Sequence, residues 1–380
     1  MHICFLSQEF PRKGASHGGI GTFLATFTRS LINRGHQVTV VGVTGSKFED
    51  QMMDGVRVVN FPGSKAQLIA WWRNYQRVDD FLTTLHKEHP IDIVEGSELT
   101  LAFLNKKKGI KYVIRLHGGH HFFAEGEKRK VNKWKAYQEK KSFSKADAFI
   151  AVSNYVKTHT EKFLSYHSRP IEVINYPINL DKFYPSNPKK VKPFRLVFAG
   201  TVCEKKGIRQ LMQAIPSIAS DFPDVHLEVF GRDWMFPNGK SFIEFLKETM
   251  PKVALEKTTF HGPVAHDELP GHYEQAAICI FPSHMETQGL VAPEAMSMEK
   301  VVVFSKTGPG PETISHGVDG WLCDPHSPED ISKTVREAFS KVDEFEKIGK
   351  AARKKVISKF ETEMVTDKNL AFYQKLIAKK

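Results

Sequence analysis

Two trains of short, β-branched runs, each run separated from the next by an amphipathic stretch, constrain this 380-residue chain more than any other feature. The first train holds runs at 3–6, 37–43, 56–61, 91–95, 112–116, 148–152 and 171–174, with a helix predicted over 22–33. The second holds runs at 195–199, 227–230, 258–260, 278–281 and 301–304. Such nearly continuous apolar runs suit strands covered on both faces, and helices between them make neighbouring strands parallel. After Pro177 the chain turns to Asn, Pro, Ser and Lys, which reads as a linker. The expected fold class is therefore α/β, with two doubly wound parallel-sheet, Rossmann-like domains facing across a cleft. The predicted boundaries are 1–180 for the first domain, 181–193 for the linker and 194–360 for the second, with a final helix over 361–380 packing back on the first. Open sheets of this kind bind ligands beyond the carboxyl ends of their strands, so the expected site lies between the domains.

Composition removes several function classes. Apolar stretches such as 276–281 fall far short of the roughly 20 residues a membrane span needs, and the run at 3–6 has no basic region before it. Neither a membrane-spanning nor a secreted protein is expected. Cys4, Cys203, Cys279 and Cys323 are scattered, with no C-x-x-C, and read as buried free thiols in a reducing compartment. The expected location is cytoplasmic, including the inner membrane face as a peripheral protein.

The net charge of +11 is concentrated. Between residues 101 and 145 thirteen basic residues face only Glu125, Glu127 and Glu139, and Phe122, Phe123, Trp134, Tyr137 and Phe143 are interleaved with them. A solvated basic helix face accounts for this plainly. A surface over 106–145 that docks on anionic lipid headgroups or an anionic acceptor accounts for it more specifically. Nucleic acid is not expected, because no binding motif accompanies the charge.

Two glycine-bearing loops follow strands and precede helices. In the first, His17-Gly18-Gly19-Ile20-Gly21-Thr22, Gly18 and Gly19 would let backbone amides approach an anion at a helix N-terminus. In the second, Gly200-Thr201-Val202-Cys203-Glu204-Lys205-Lys206-Gly207, Lys206 would reach a phosphate as a point charge. Neither is a dinucleotide fingerprint or a Walker loop. The stretch 281–312 is more informative. Glu286 and Glu294 on one continuous helix would lie roughly 12 Å apart along the axis. Pro282, Gly289 and Pro293 instead put Glu286 in a loop and Glu294 in the opening turn of a helix. Two carboxylates flanking amide donors suit a ligand with hydroxyls at both ends and a diphosphate between them.

These residues resemble glycosyltransferase family 4, the retaining transferases of the GT-B fold, over essentially the whole chain. The motif that carries most of the resemblance is E-x7-E, here Glu286-Thr-Gln-Gly-Leu-Val-Ala-Pro-Glu294, followed by the turn at 308–312. Gly18-Gly19, Arg34-Gly35-His36, the stretch 174–183, Gly200 through Gly207, and Phe281-Pro-Ser283 support it. The resemblance implies that Lys206 neutralises the donor diphosphate, Glu286 binds hydroxyls of the transferred sugar, and Glu294 accepts from the ribose. It implies donor contacts from Gly18, Gly19, Thr201, Gly289 and Leu290, and a catalytic role at the sugar or leaving phosphate for His117. No cofactor and no metal are implied. The chain departs from the family pattern at Thr201, where arginine is usual, and at Gln288, where an aromatic is usual; either Lys205 or Arg209 compensates for the missing phosphate contact, or donor affinity is weak.

The expected reaction is transfer of a sugar from a nucleotide diphosphate sugar to a hydroxyl of a glycan or lipid-linked acceptor, in cell-surface polysaccharide or glycolipid synthesis. A catalytically silent nucleotide-sugar-binding protein of the same fold is the main alternative. A glycosidase using Glu286 and Glu294 is a further one, opposed by the phosphate-type loops. An epimerase or phosphorylase on this fold is the last, opposed by the glutamate spacing.

Overall fold

The computed structural model describes residues 1–11, 18–45, 47–65 and 69–379, so His17 of the first glycine loop lies outside the described residues. The chain forms two compact units, one of residues 1–177 and 362–380, the other of residues 178–361.

The first unit is built on eight strands: β1 (His2–Leu6), β2 (Gln37–Val43), β3 (Glu49–Met53), β4 (Val56–Phe61), β5 (Ile93–Gly96), β6 (Lys111–Leu116), β7 (Ala148–Ala151) and β8 (Ile171–Val173). Their order across the sheet is β3-β4-β2-β1-β5-β6-β7-β8, and every pairing is parallel except β3 with β4. All five residues of β1 are buried, as expected of a central strand with helices on both faces. Strand β3 was not expected. Its sequence, Glu-Asp-Gln-Met-Met, is polar and exposed because it is an edge, and it returns from β4 through Asp54 and Gly55, both at positive φ (50° and 81°), a two-residue hairpin turn.

The second unit uses β9 (Arg195–Ala199), β10 (His226–Phe230), β11 (Thr258–Gly262), β12 (Ile278–Phe281), β13 (Val301–Ser305) and β14 (Trp321–Cys323), in the order β11-β10-β9-β12-β13-β14, all parallel. Both sheets reverse direction of winding once, between β1 and β5 in the first unit and between β9 and β12 in the second. Loops leaving the carboxyl ends of those neighbouring strands diverge and leave a crevice.

Residues 181–193 do not behave as a free linker. Phe183 is buried, the Ser186 amide donates to the Met298 carbonyl at 3.1 Å, and the Asn187 amide donates to Glu274 at 3.1 Å, all within the second unit. The prolines and polar residues that suggested a spacer instead lay an irregular segment against the domain.

The C-terminal helix Thr362–Ala378 belongs to the first unit. Arg34 binds Glu363 at 2.6 Å and also pairs with Asp367. Beneath it, the fully buried Arg115 guanidinium donates to Glu95 at 2.7 and 3.1 Å and to Asn369 Oδ1 at 2.6 Å, while the Tyr373 hydroxyl donates to Glu95 at 2.5 Å. Burial alone would favour neutral Arg115, but Glu95 reverses that and holds the guanidinium above its ordinary value. The same arrangement narrows the expected basic surface. Arg115 is interior, Lys107 is paired with Asp79 at 2.8 Å and Lys106 is paired with Asp147, so the outward charge comes chiefly from the exposed Lys128, Lys130, Lys133, Lys135 and Lys140. Arg115→Met leaves Glu95 buried without its cation, a loss of about 3–5 kcal/mol. In thermal unfolding followed by circular dichroism it lowers Tm by roughly 10 °C; an unchanged Tm would contradict the role assigned to this pair.

Candidate active site

In the second unit the site is made by two loops that leave β9 and β12. The first contains a single turn, Glu204–Lys206, and ends at Gly207, whose φ of 71° starts the helix Ile208–Asp221. A Cβ at Gly207 would lie 1.9 Å from the Pro282 carbonyl oxygen, so only glycine lets the two loops touch. The His284 amide then donates to the Lys205 carbonyl at 2.9 Å, which ties them together again. This contact brings the Lys206 ammonium onto the Glu286 carboxylate as an ion pair, with both side chains still partly exposed. The two residues expected to hold opposite parts of a donor are thus direct neighbours. Thr201 lies on the same loop, half-buried.

Glu286 sits in the loop, as expected, and the helix Val291–Ser297 opens after Leu290 with Glu294 in its first turn. Gly289, at φ 76°, makes the bend; a Cβ there would come 2.9 Å from the ring of Phe304 and 3.3 Å from the side chain of Glu286. Glu294 is buried, and its Oε1 lies 2.8 Å from His266 Nε2. Lys182 Nζ lies 2.6 Å from the other ring nitrogen, and an ammonium only donates, so Nδ1 accepts and Nε2 donates to Glu294. Lys182 and His266 therefore orient the glutamate. No local sequence signal pointed to them, because His266 and Glu294 meet only through the fold.

Arg209, one of the two groups expected to compensate for the missing arginine at Thr201, is bound to Glu204 through Nε at 2.8 Å and Nη2 at 2.6 Å. Its guanidinium is committed within its own loop. Gln288, where an aromatic was expected, is buried.

The remaining expected residues, Gly18, Gly19 and His117, lie in the first unit. Gly18 caps the helix Gly19–Asn33, but its amide donates to Glu9 Oε2 at 3.0 Å. The anion at this helix end is one of the chain's own carboxylates, so a ligand phosphate would have to displace it. His117 follows β6. Its Nδ1 is hydrogen-bonded to the Tyr176 hydroxyl, and the two rings stack with centroids 5.7 Å apart. Burial first, and the Arg115 charge second, lower its pKa to about 3, so the imidazole is neutral under physiological conditions and acts as a hydrogen-bonding group, not a cation.

Behind His117 lie two buried carboxylates that sequence reasoning missed. Glu98 Oε1 accepts from the Gly118 amide at 2.8 Å, and Glu139 accepts from the amides of His120 and His121 and from the His121 ring. Together they fix the Gly118-Gly119 turn, where a Cβ on Gly119 would fall 2.1 Å from Glu139. Burial pushes the Glu98 carboxyl up to about 8, the Glu139 charge adding to it.

Residues 17–182 match the family described as Glycosyltransferase Family 4, and residues 181–355 match the one described as Glycosyl transferases group 1. The chain belongs to glycosyltransferase family 4. A GDP-mannose-dependent alpha-(1-6)-phosphatidylinositol monomannoside mannosyltransferase from Mycobacterium tuberculosis is 25% identical over 386 residues, covering 94% of each chain. Among solved structures, sucrose-phosphate synthase from Thermosynechococcus elongatus superposes with a TM-score of 0.84 at 18% identity, covering 100% of both chains. Anabaena HepE in complex with UDP-glucose superposes with a TM-score of 0.77 at 18% identity, covering 99% of this chain and 100% of that one. The fold of this glycosyltransferase is therefore GT-B.

The buried Glu98 gives a pH test. An unfolded chain loses this proton near 4.3, whereas the native carboxyl keeps it to about 8. Between those values the unfolded state binds fewer protons, so this group makes stability fall as pH rises and then level off. Relative to Glu98→Gln, Tm of the native sequence falls between about pH 5 and about pH 8; parallel curves for the two proteins would contradict the assignment.

Proposed function

We propose that this glycosyltransferase moves a sugar from a nucleotide diphosphate sugar to a hydroxyl acceptor with retention at the anomeric carbon. The observation that carries the reading is the pairing of Lys206 with Glu286 across two loops at the β9/β12 switch point, with Glu294 in the first turn of the helix that follows. Similarity to proteins whose names include GDP-mannose, or whose structure holds UDP-glucose, supports a donor of that class.

The roles follow from charge. A donor diphosphate brings negative charge to Lys206, which exchanges Glu286 for the phosphate and stabilises the charge that grows as the sugar bond breaks; fixed dipoles and cations of this kind usually contribute most to such a step. Glu286, released, accepts from sugar hydroxyls. Glu294, oriented by His266, accepts from the ribose. No strong base stands out among these residues, and the leaving phosphate itself takes the acceptor proton as the new bond forms on the same face. The neutral His117 binds sugar hydroxyls or the leaving group through Nε2. The binding of Glu286 and Glu294 to Lys206 and His266 disfavours a glycosidase, in which one carboxyl must be held protonated.

For the acceptor we propose a glycan or lipid-linked hydroxyl compound met at a membrane surface. The exposed lysines of 128–140 support this, as does the phosphatidylinositol-based acceptor in the name of the mycobacterial relative. No helix among the described residues is long and apolar enough to cross a membrane, so contact of this kind would be peripheral.

A melting screen against UDP-, GDP-, ADP- and TDP-sugars identifies the donor by the rise in Tm. With that donor, Lys206→Ala lowers kcat by about 100-fold or more, and NMR of the first product shows the retained anomer. Unchanged turnover in the variant would overturn the role of Lys206, an inverted product would overturn retention, and stabilisation without turnover would favour the silent binding protein. Cosedimentation with vesicles containing anionic lipid should exceed that with neutral vesicles at low salt and fall as salt rises; equal sedimentation would remove the membrane assignment.

A further inference from the structure

The first unit contains a cavity of about 450 Å³ beyond the carboxyl ends of β1, β2 and β5. That volume is in the range of small-ligand sites, roughly 300–1,000 Å³. Here the wall is largely carbon, with Leu6, Leu24, Val41, Val43, Val78 and Leu104 contributing to it. Polar side chains share the lining, Ser7, Gln8, Glu9, Asn74, Thr100 and His117 among them. Because Nδ1 of that ring is engaged by Tyr176, contact with a ligand goes through Nε2.

Trp71 also lines the cavity, yet more than a third of its surface is exposed. Its ring is 4.6 Å from Phe103 and 5.3 Å from Trp134, and Trp134 and Tyr137 are themselves 44% and 50% exposed. The Lys141 ammonium sits 4.2 Å from the centroid of Phe103. The cavity is thus continuous, through Trp71, with an exposed aromatic patch bearing a cation. Exposed aromatic clusters of this kind are uncommon on surfaces that meet only water, and Trp and Tyr suit the boundary between an apolar phase and a wet one.

We infer that this cavity is the subsite for an apolar aglycone of the acceptor, an alkyl chain or an aryl group, whose hydroxyl-bearing head lies at His117. The inference rests on the glycosyl-transfer reading above. It adds a chemical class to the acceptor: a glycoside or alcohol with a hydrophobic tail, taken up past Trp71, in place of a wholly polar glycan.

The test is calorimetric titration of the full chain with methyl, phenyl and n-octyl β-D-glucoside, each below its micelle concentration. Seven additional methylenes moved out of water should tighten binding of the octyl compound at least about tenfold over the methyl one. Preference for octyl identifies a lipid-type tail, and preference for phenyl an aromatic aglycone. Val78→Trp, which fills the cavity, should reduce that preference at least about fivefold; Val43→Phe serves the same purpose if the first variant does not fold. Equal affinity for all three glucosides, or a preference untouched by cavity filling in a folded variant, would overturn the inference. The rise in Tm with nucleotide sugar, measured on the same preparations, reports the donor reading separately. A donor response without a tail preference removes only the subsite, whereas no donor response removes the reading on which it rests.

Discussion

The donor side of this molecule depends on one backbone contact. Gly207 and the Pro282 carbonyl meet so closely that no side chain fits between them, and that contact sets the loop after β9 against the loop after β12. Lys206 is the residue before that glycine and Glu286 comes four residues after Pro282, so their ion pair follows from the contact and needs no separate explanation. Opposite charges brought together at a partly exposed position attract only modestly, because water screens them. A ligand phosphate can therefore replace the glutamate at little cost, and the glutamate is then available for hydroxyl groups. A resting pair of this kind keeps the lysine positioned without burying it.

The first unit achieves rigidity by a different route, through buried charge. Arg115 with Glu95 anchors the C-terminal helix, and Glu98 with Glu139 anchors the turn after His117. These groups lie under the residues expected to meet substrate. Their burial makes them expensive to disturb, while the burial of His117 itself, with the Arg115 charge second, keeps its imidazole neutral, a state suited to binding hydroxyls. The Glu9 carboxylate on the Gly18 amide belongs to the same economy of filled positions: the helix end that a phosphate would seek already holds an anion.

Much of this was legible in the sequence, for physical reasons that can be named. Strands buried on both faces have to be apolar throughout, so β1, β2, β9, β12 and β13 stand out. Edge strands carry less of that signal: β8 and β11 still showed as short runs, whereas β14 and β3 were missed, β3 although Asp54-Gly55 marked its turn. The placement of Glu286 in a loop and Glu294 at a helix start followed from Pro282, Gly289 and Pro293. What could not be read was tertiary pairing. His266 with Glu294, Lys206 with Glu286, and Glu139 with the amides of His120 and His121 join residues 18 to 80 positions apart, without a local pattern. The polar stretch 181–193 misled in the other direction, since irregular backbone packed on a domain uses the same residues as a free linker.

The central claim is that the diphosphate of a nucleotide sugar binds on the loops at the β9/β12 switch point. Amide hydrogen exchange, with and without saturating donor, measures this directly. The account predicts slowed exchange concentrated in residues 200–208 and 283–295. Slowed exchange elsewhere in the chain, with both of these segments unchanged, would contradict it.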